Sequence, residues 1–168
     1  MDPDSMMLLA VLVLMVIMSG YFSATETAFT SLNRIRLKSR AENGDRRAEK
    51  TLALAEDYDR LLSTILIGNN IVNNVAATLS TLLFIDLIGK ENGPAVSAIV
   101  LTVVVLIFGE ISPKSLAKES PEAFAMVSAP LLRLLMALLT PLNFLFGLWK
   151  KLLTKLFHRE LDEGITDE

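Results

Sequence analysis

Residues 94–114 read PAVSAIVLTVVVLIFGEISPK. The first fifteen of them carry no charge, and Gly109, Glu110, Pro113 and Lys114 then follow in close order. About 20 residues at ~1.5 Å rise cross a ~30 Å hydrocarbon core, so this stretch predicts a transmembrane helix. A carboxylate within such a helix costs roughly 2.5–3.5 kcal/mol even on the milder insertion scales. Glu110 therefore either marks the helix end at the headgroups or faces something that offsets that cost. Pro113 has no backbone N–H, which frees the carbonyl four residues earlier, that of Gly109. A carboxylate beside a freed carbonyl places two hard oxygens at one depth, and hard oxygens suit a hard cation.

The rest of the chain has the same character. Of 168 residues, 52% are hydrophobic and 21% charged, and the apolar residues come in long blocks rather than at amphipathic spacing. That pattern predicts an all-α integral membrane protein. The net charge of −3 gives no indication of a nucleic-acid partner, because the positive charge is confined to short segments. There is no Cys, hence no disulfide framework and no thiolate metal site. The single His, His158, lies in a polar tail and cannot build an imidazole cluster. No glycine-rich phosphate loop follows a strand pattern, and no nucleophile stands beside a base, so an enzyme is not expected.

Working outward, residues 6–29 form another apolar block. Asp2 and Asp4 precede it where a signal peptide would be basic, and it predicts the first crossing. Its last turns are polar, with Ser19 and Ser23 four apart on one helix face and Gly20 beside them. Residues 33–60 carry eight basic side chains, which puts them on the cytoplasmic side and the N-terminus outside. Asn43–Gly44 divides that segment into two predicted surface helices. Residues 61–87 are the second crossing and contain GNNIVNN, residues 68–74. Asn69 and Asn73 share one face, and Asn70 and Asn74 the neighbouring one. One intramembrane amide is ordinary interhelical glue, but four exceed what glue requires.

After the third crossing, residues 122–148 are apolar again but flanked by basic residues on both sides. Pro130 and Pro141 break the block and Arg133 lies between them, so a re-entrant hairpin with both ends on the cytoplasmic side is expected. A fourth straight span is the alternative. Trp149 anchors the interface, and residues 150–157 continue as an amphipathic basic helix on the inner leaflet. Residues 1–157 thus form one membrane domain, and 158–168 a polar tail.

Ser19/Ser23, Asn69/Asn73 and Gly109/Glu110 give each predicted crossing one polar patch. Together they offer two hydroxyls, two amide oxygens, a backbone carbonyl and one carboxylate. Six oxygens suit Mg²⁺, and Na⁺ would use fewer. The competing reading is a non-transporting membrane anchor or ion sensor whose polar patches are packing glue.

At these residues the chain resembles a known family. SGYFS (residues 19–23), GNNIVN (68–73) and GEISP (109–113) are similar to the three signatures of the transmembrane (DUF21) domain of CorC/CNNM magnesium transporters. The resemblance covers residues 6–157. It implies a homodimer of three-crossing subunits, each with a cytoplasmic-side hairpin and a juxtamembrane belt, in the cell membrane. It also implies Mg²⁺ export driven by Na⁺ entry. The ion ligands it implies are Ser19, Ser23, Asn69, Asn73, Glu110 and the Gly109 carbonyl, with Pro113 as the break that shapes the last two. Asn70 and Asn74 fall outside its pattern, as neighbours of the site or of an interface, and Lys114 takes no ion role. Ala76, Ala77 and Ala98 are small enough to permit close packing between subunits. Family members continue into cytoplasmic CBS modules that bind adenine nucleotides with Mg²⁺. The tail at 158–168 reads as the linker towards them.

Overall fold

The computed structural model describes residues 3–163, and the side chains of all of these except 143, 150 and 156–163. Every described element is a helix. The order is α1 (Pro3–Thr30), α2 (Arg34–Glu42), α3 (Arg46–Glu56), α4 (Tyr58–Ile88) and α5 (Gly93–Val104). A π-helical segment follows (Val105–Ile111), then α6 (Ser112–Glu119), α7 (Pro121–Leu138) and α8 (Thr140–Glu163). The helix α5, the π segment and α6 run on as one 27-residue rod, Gly93–Glu119. That rod, α1, α4 and α7 are each long and apolar enough to cross a bilayer. Residues 164–168, the end of the predicted tail, lie outside the described residues.

The helices α1 and α4 pack antiparallel along their length. Leu12 shares a cluster with Ala76 and Leu83 at one end, and Phe22 and Phe29 share another with Leu61 and Ile65 at the opposite end. Gly68 is what permits the closest approach. A Cβ there would run into the ring of Phe22, which is itself 2% exposed. The predicted division at Asn43–Gly44 is present, with α2 and α3 on either side. Asp45 caps α3 by accepting from the backbone N–H of Arg47 and Ala48. The Ala48 N–H and the Arg40 guanidinium hold the Asp45 carboxyl below its usual range.

The helix α7 packs against α2 and α3 through Met126, Leu37 and Ala48. It also lies on the end of the α1–α4 pair that holds Phe29 and Leu61, through Ala125, Ala129 and Leu132. The Tyr21 hydroxyl donates to the Ser128 carbonyl at 3.0 Å. Two expectations about this region change. Pro130 was expected to break the last apolar block, but it lies inside a continuous α7. The burial of Ala125, Met126, Ala129 and Leu132 on its flanks supplies the tertiary contact that holds a proline-weakened helix together. The chain turns instead at Leu139, and Pro141 takes the second position of α8, where a missing N–H costs nothing. Ala76 was expected at an interface between subunits, but it is 1% exposed and closes α1 on α4 within the chain. Ala77 and Ala98 remain exposed.

Arg60 ties the turn down. Its guanidinium donates to Thr140 Oγ1 at 2.7 Å and to the Met136 carbonyl at 3.3 Å, and it lies 3.8 Å from Asp57. A cation at the last carbonyls of α7 is also favoured by that helix's dipole. The start of α4 is thereby joined to the α7–α8 corner.

Candidate ion site between α1, α4 and the π-helical segment

The site begins with the register change in the third rod. The Ser112 N–H reaches five residues back to the Ile107 carbonyl at 112→107, the π pattern. Proline was expected to free the Gly109 carbonyl, by counting four residues back. In the wider register Pro113 stands five residues after Phe108, so the Phe108 carbonyl also lacks the donor that this register would supply. A Cβ on Gly20 would sit 3.0 Å from the Phe108 oxygen and 3.1 Å from Pro113 Cγ. Gly20 thus lets α1 lie directly against this bend. Pro113 is half-buried there.

Ser19, Asn69 and Gly109 come together. Ser19 Oγ donates to Asn69 Oδ1 at 3.2 Å, and a Cβ on Gly109 would lie 3.0 Å from Ser19 Oγ. Ser19 is fully buried, Gly109 is buried, and Glu110, the next residue, is half-buried. Ser23 and Asn73 flank this level rather than share it. The two helices are antiparallel, so Ser23 stands one turn along α1 in one direction and Asn73 one turn along α4 in the other. At 1.5 Å per residue, about 6 Å separates each from the Ser19–Asn69 level. Ser23 is 1% exposed. Ser23 Oγ and Asn73 Oδ1 are buried and have no hydrogen-bond partner. A buried polar atom left unsatisfied costs about 1–3 kcal/mol. Two of them on either side of one contact need a reason, and a cation that draws on several oxygens supplies one.

Asn70 and Asn74 face outward. Asn70 Nδ2 donates to its own helix at the Leu66 carbonyl, 2.9 Å, and both side chains are exposed. Their faces were legible from spacing alone. Among the described residues no group of three or more His, Cys, Asp or Glu side chains gathers.

Sequence reasoning missed Glu26. Its carboxylate lies 3.6 Å from Lys114 Nζ, which joins α1 to α6 across the site's edge. The signal was present: Glu26 follows Ser19 by seven residues and Ser23 by three, which keeps it on the same helix stripe.

Long apolar helices with buried polar oxygens at their crossing define an all-helical, multi-pass membrane domain. Residues 9–168 match the family described as the cyclin M transmembrane N-terminal domain (CNNM). The chain belongs to that family. It is 40% identical over 144 residues to the UPF0053 inner membrane protein YfjD of Escherichia coli K12, covering 86% of this chain and 33% of that one. It is 37% identical over 155 residues to a UPF0053 protein of Haemophilus influenzae, covering 92% and 37%. A chloroplastic DUF21 domain-containing protein of Arabidopsis thaliana, At1g55930, is 34% identical over 110 residues, covering 66% and 16%. The chain thus spans about a third of the length of the two bacterial relatives.

Proposed function

We propose that this domain moves Mg²⁺ across the cell membrane, as an exporter driven by Na⁺ entry, through the oxygens of Ser19, Ser23, Asn69, Asn73, Gly109 and Glu110. The observation that carries this reading is the pair of buried, unpartnered oxygens on Ser23 and Asn73, on either side of the Ser19–Asn69 contact. Glu110, next in sequence to Gly109, gives the set its single formal charge. Membership of the family supports a transporter-like role. The ion path is completed by a second copy of the chain. The exposed apolar stripe of the rod, with Ile99, Val103 and Ile107, is available to that copy. The CBS modules of the resembling transporters are a regulatory partner under this proposal. The protein acts as a carrier rather than an enzyme.

The test is flux in sealed vesicles with the purified chain and an enclosed Mg²⁺ indicator. Mg²⁺ movement that accelerates under an opposed Na⁺ gradient is the expected result. Saturable Mg²⁺ binding with no flux would replace the transporter with an ion sensor.

The proposed topology has three crossings, by α1, α4 and the α5–α6 rod, with α7 and α8 entering and leaving from the cytoplasmic side. It is supported by the packing of α7 on the basic helices α2 and α3. In this cysteine-free chain, Lys155→Cys is expected to react with a membrane-impermeant thiol reagent only from the cytoplasmic face. Labelling from outside would require α7 to be a fourth crossing.

A further inference from the structure

Glu26 and Lys114 stand at the edge of the site, and the ligand set leaves both out. Glu26 lies three residues past Ser23 on α1, about 4.5 Å along the axis, towards the basic α2–α3 segment. Lys114 lies four residues past Glu110 on the rod, in the same direction. The two close the α1–α6 seam at 3.6 Å, beyond hydrogen-bonding distance. Both are partly exposed, the Lys114 side chain 41% and the Glu26 side chain 32%. A pair of this kind is weak and exchanges readily. Its position is not that of surface decoration. Glu26 stands between Ser23 and the α2–α3 segment along α1, as Lys114 stands beyond Glu110 along the rod.

We infer that Glu26 is an outlying cation ligand on the cytoplasmic side of the site, and that Lys114 is its tethered competitor, neutralising it between ions. The inference rests on the Mg²⁺ reading above. A divalent cation gains more from a carboxylate than an ammonium does, because Coulomb attraction scales with charge. Arrival of Mg²⁺ therefore displaces the Lys114 ammonium, and departure lets it return. Lys114 remains outside the ligand set, but it lowers the apparent affinity of that set. It also shields Glu26 from weaker cations, a form of selectivity by competition.

The experiment is Mg²⁺ titration calorimetry on the full chain in detergent at low ionic strength, with thermal unfolding of each variant measured alongside. Lys114→Gln is expected to tighten Mg²⁺ binding about threefold, the scale of an exposed ion pair. Glu26→Gln is expected to weaken it by about tenfold, as befits loss of one carboxylate near a divalent ion. Lys114→Arg keeps the charge and is expected to match wild type. In the double variant Lys114 has nothing to compete for, so its affinity should equal that of Glu26→Gln alone. Unchanged affinity in Lys114→Gln together with a lowered unfolding temperature would overturn the inference and leave the pair a mere tether between helices. Unchanged affinity in Glu26→Gln would overturn it equally. Failure of the Mg²⁺ reading looks different: wild type itself gives no saturable heat, and the inference then falls with it.

Discussion

Glu110→Gln is expected to abolish Mg²⁺ binding and, with it, flux into vesicles. The substitution keeps the side chain's size and one oxygen, so it tests charge rather than shape. Glu110 holds the only formal charge among the six proposed ligands, and the other five offer neutral oxygens at successive levels along the helices. Two unit charges 4 Å apart interact by roughly 4 kcal/mol at an effective dielectric constant of 20, and Mg²⁺ carries twice that charge, so the loss is at least on the order of a thousandfold in affinity. Mg²⁺ releases its water reluctantly, which leaves neutral oxygens alone unable to hold it dehydrated. Ser23→Ala and Asn73→Ala are expected to weaken binding by about tenfold each, on the scale of a single hydrogen-bonding group. If Glu110 merely ended a helix at the headgroups, Gln would be tolerated or even stabilising. Calorimetry showing unchanged Mg²⁺ affinity in Glu110→Gln would remove the acid from the site.

Gly68→Ala should damage both stability and the site. The added carbon meets the Phe22 ring, and that ring is enclosed in the cluster that also holds Leu61, Ile65 and Leu132. Overpacking of this kind costs about 1–3 kcal/mol. The effect also reaches the ion site, because α1 and α4 must part where Ser19 bonds Asn69, the residue next to Gly68. Both a lower unfolding temperature and weaker Mg²⁺ binding are therefore expected from one change. Phe22→Leu in the same chain makes room and should recover much of the loss. Additive damage in the double variant would show that the ring is not what Gly68 accommodates.

The long apolar helices were legible because long uncharged runs have few alternatives in a chain with this composition. The α2–α3 division followed from Asn43–Gly44, and the outward amides followed from a helical repeat that separates residues 70 and 74 from 69 and 73. What was not legible depended on tertiary contact. Counting in α-helical steps pointed to Gly109 alone, without the Phe108 carbonyl that the wider register also leaves without a donor. The wider register is seen only once the bend at Phe108 and Pro113 is seated on Gly20. Pro130 looked like a break, because sequence shows the missing donor but not the buried faces of α7 that hold the helix together. Glu26 was passed over for a similar reason. Its spacing from Ser19 and Ser23 was plain, but the lysine that meets it comes from 88 positions further along the chain.

The seven-residue π-helical segment makes the third rod a swivel. Reversion of such a segment to ordinary helix would draw one residue through the bend and turn everything beyond it by about 100°, since 3.6 residues make a full circle. Upstream of the segment, Ser97 would stay pinned to Ser80 by their buried 2.8 Å hydrogen bond. Downstream, Lys114 would swing away from Glu26 and the bend would lift off Gly20. A torsion of this kind breaks no helix, yet it would open one end of the proposed ion site and leave the other clamped.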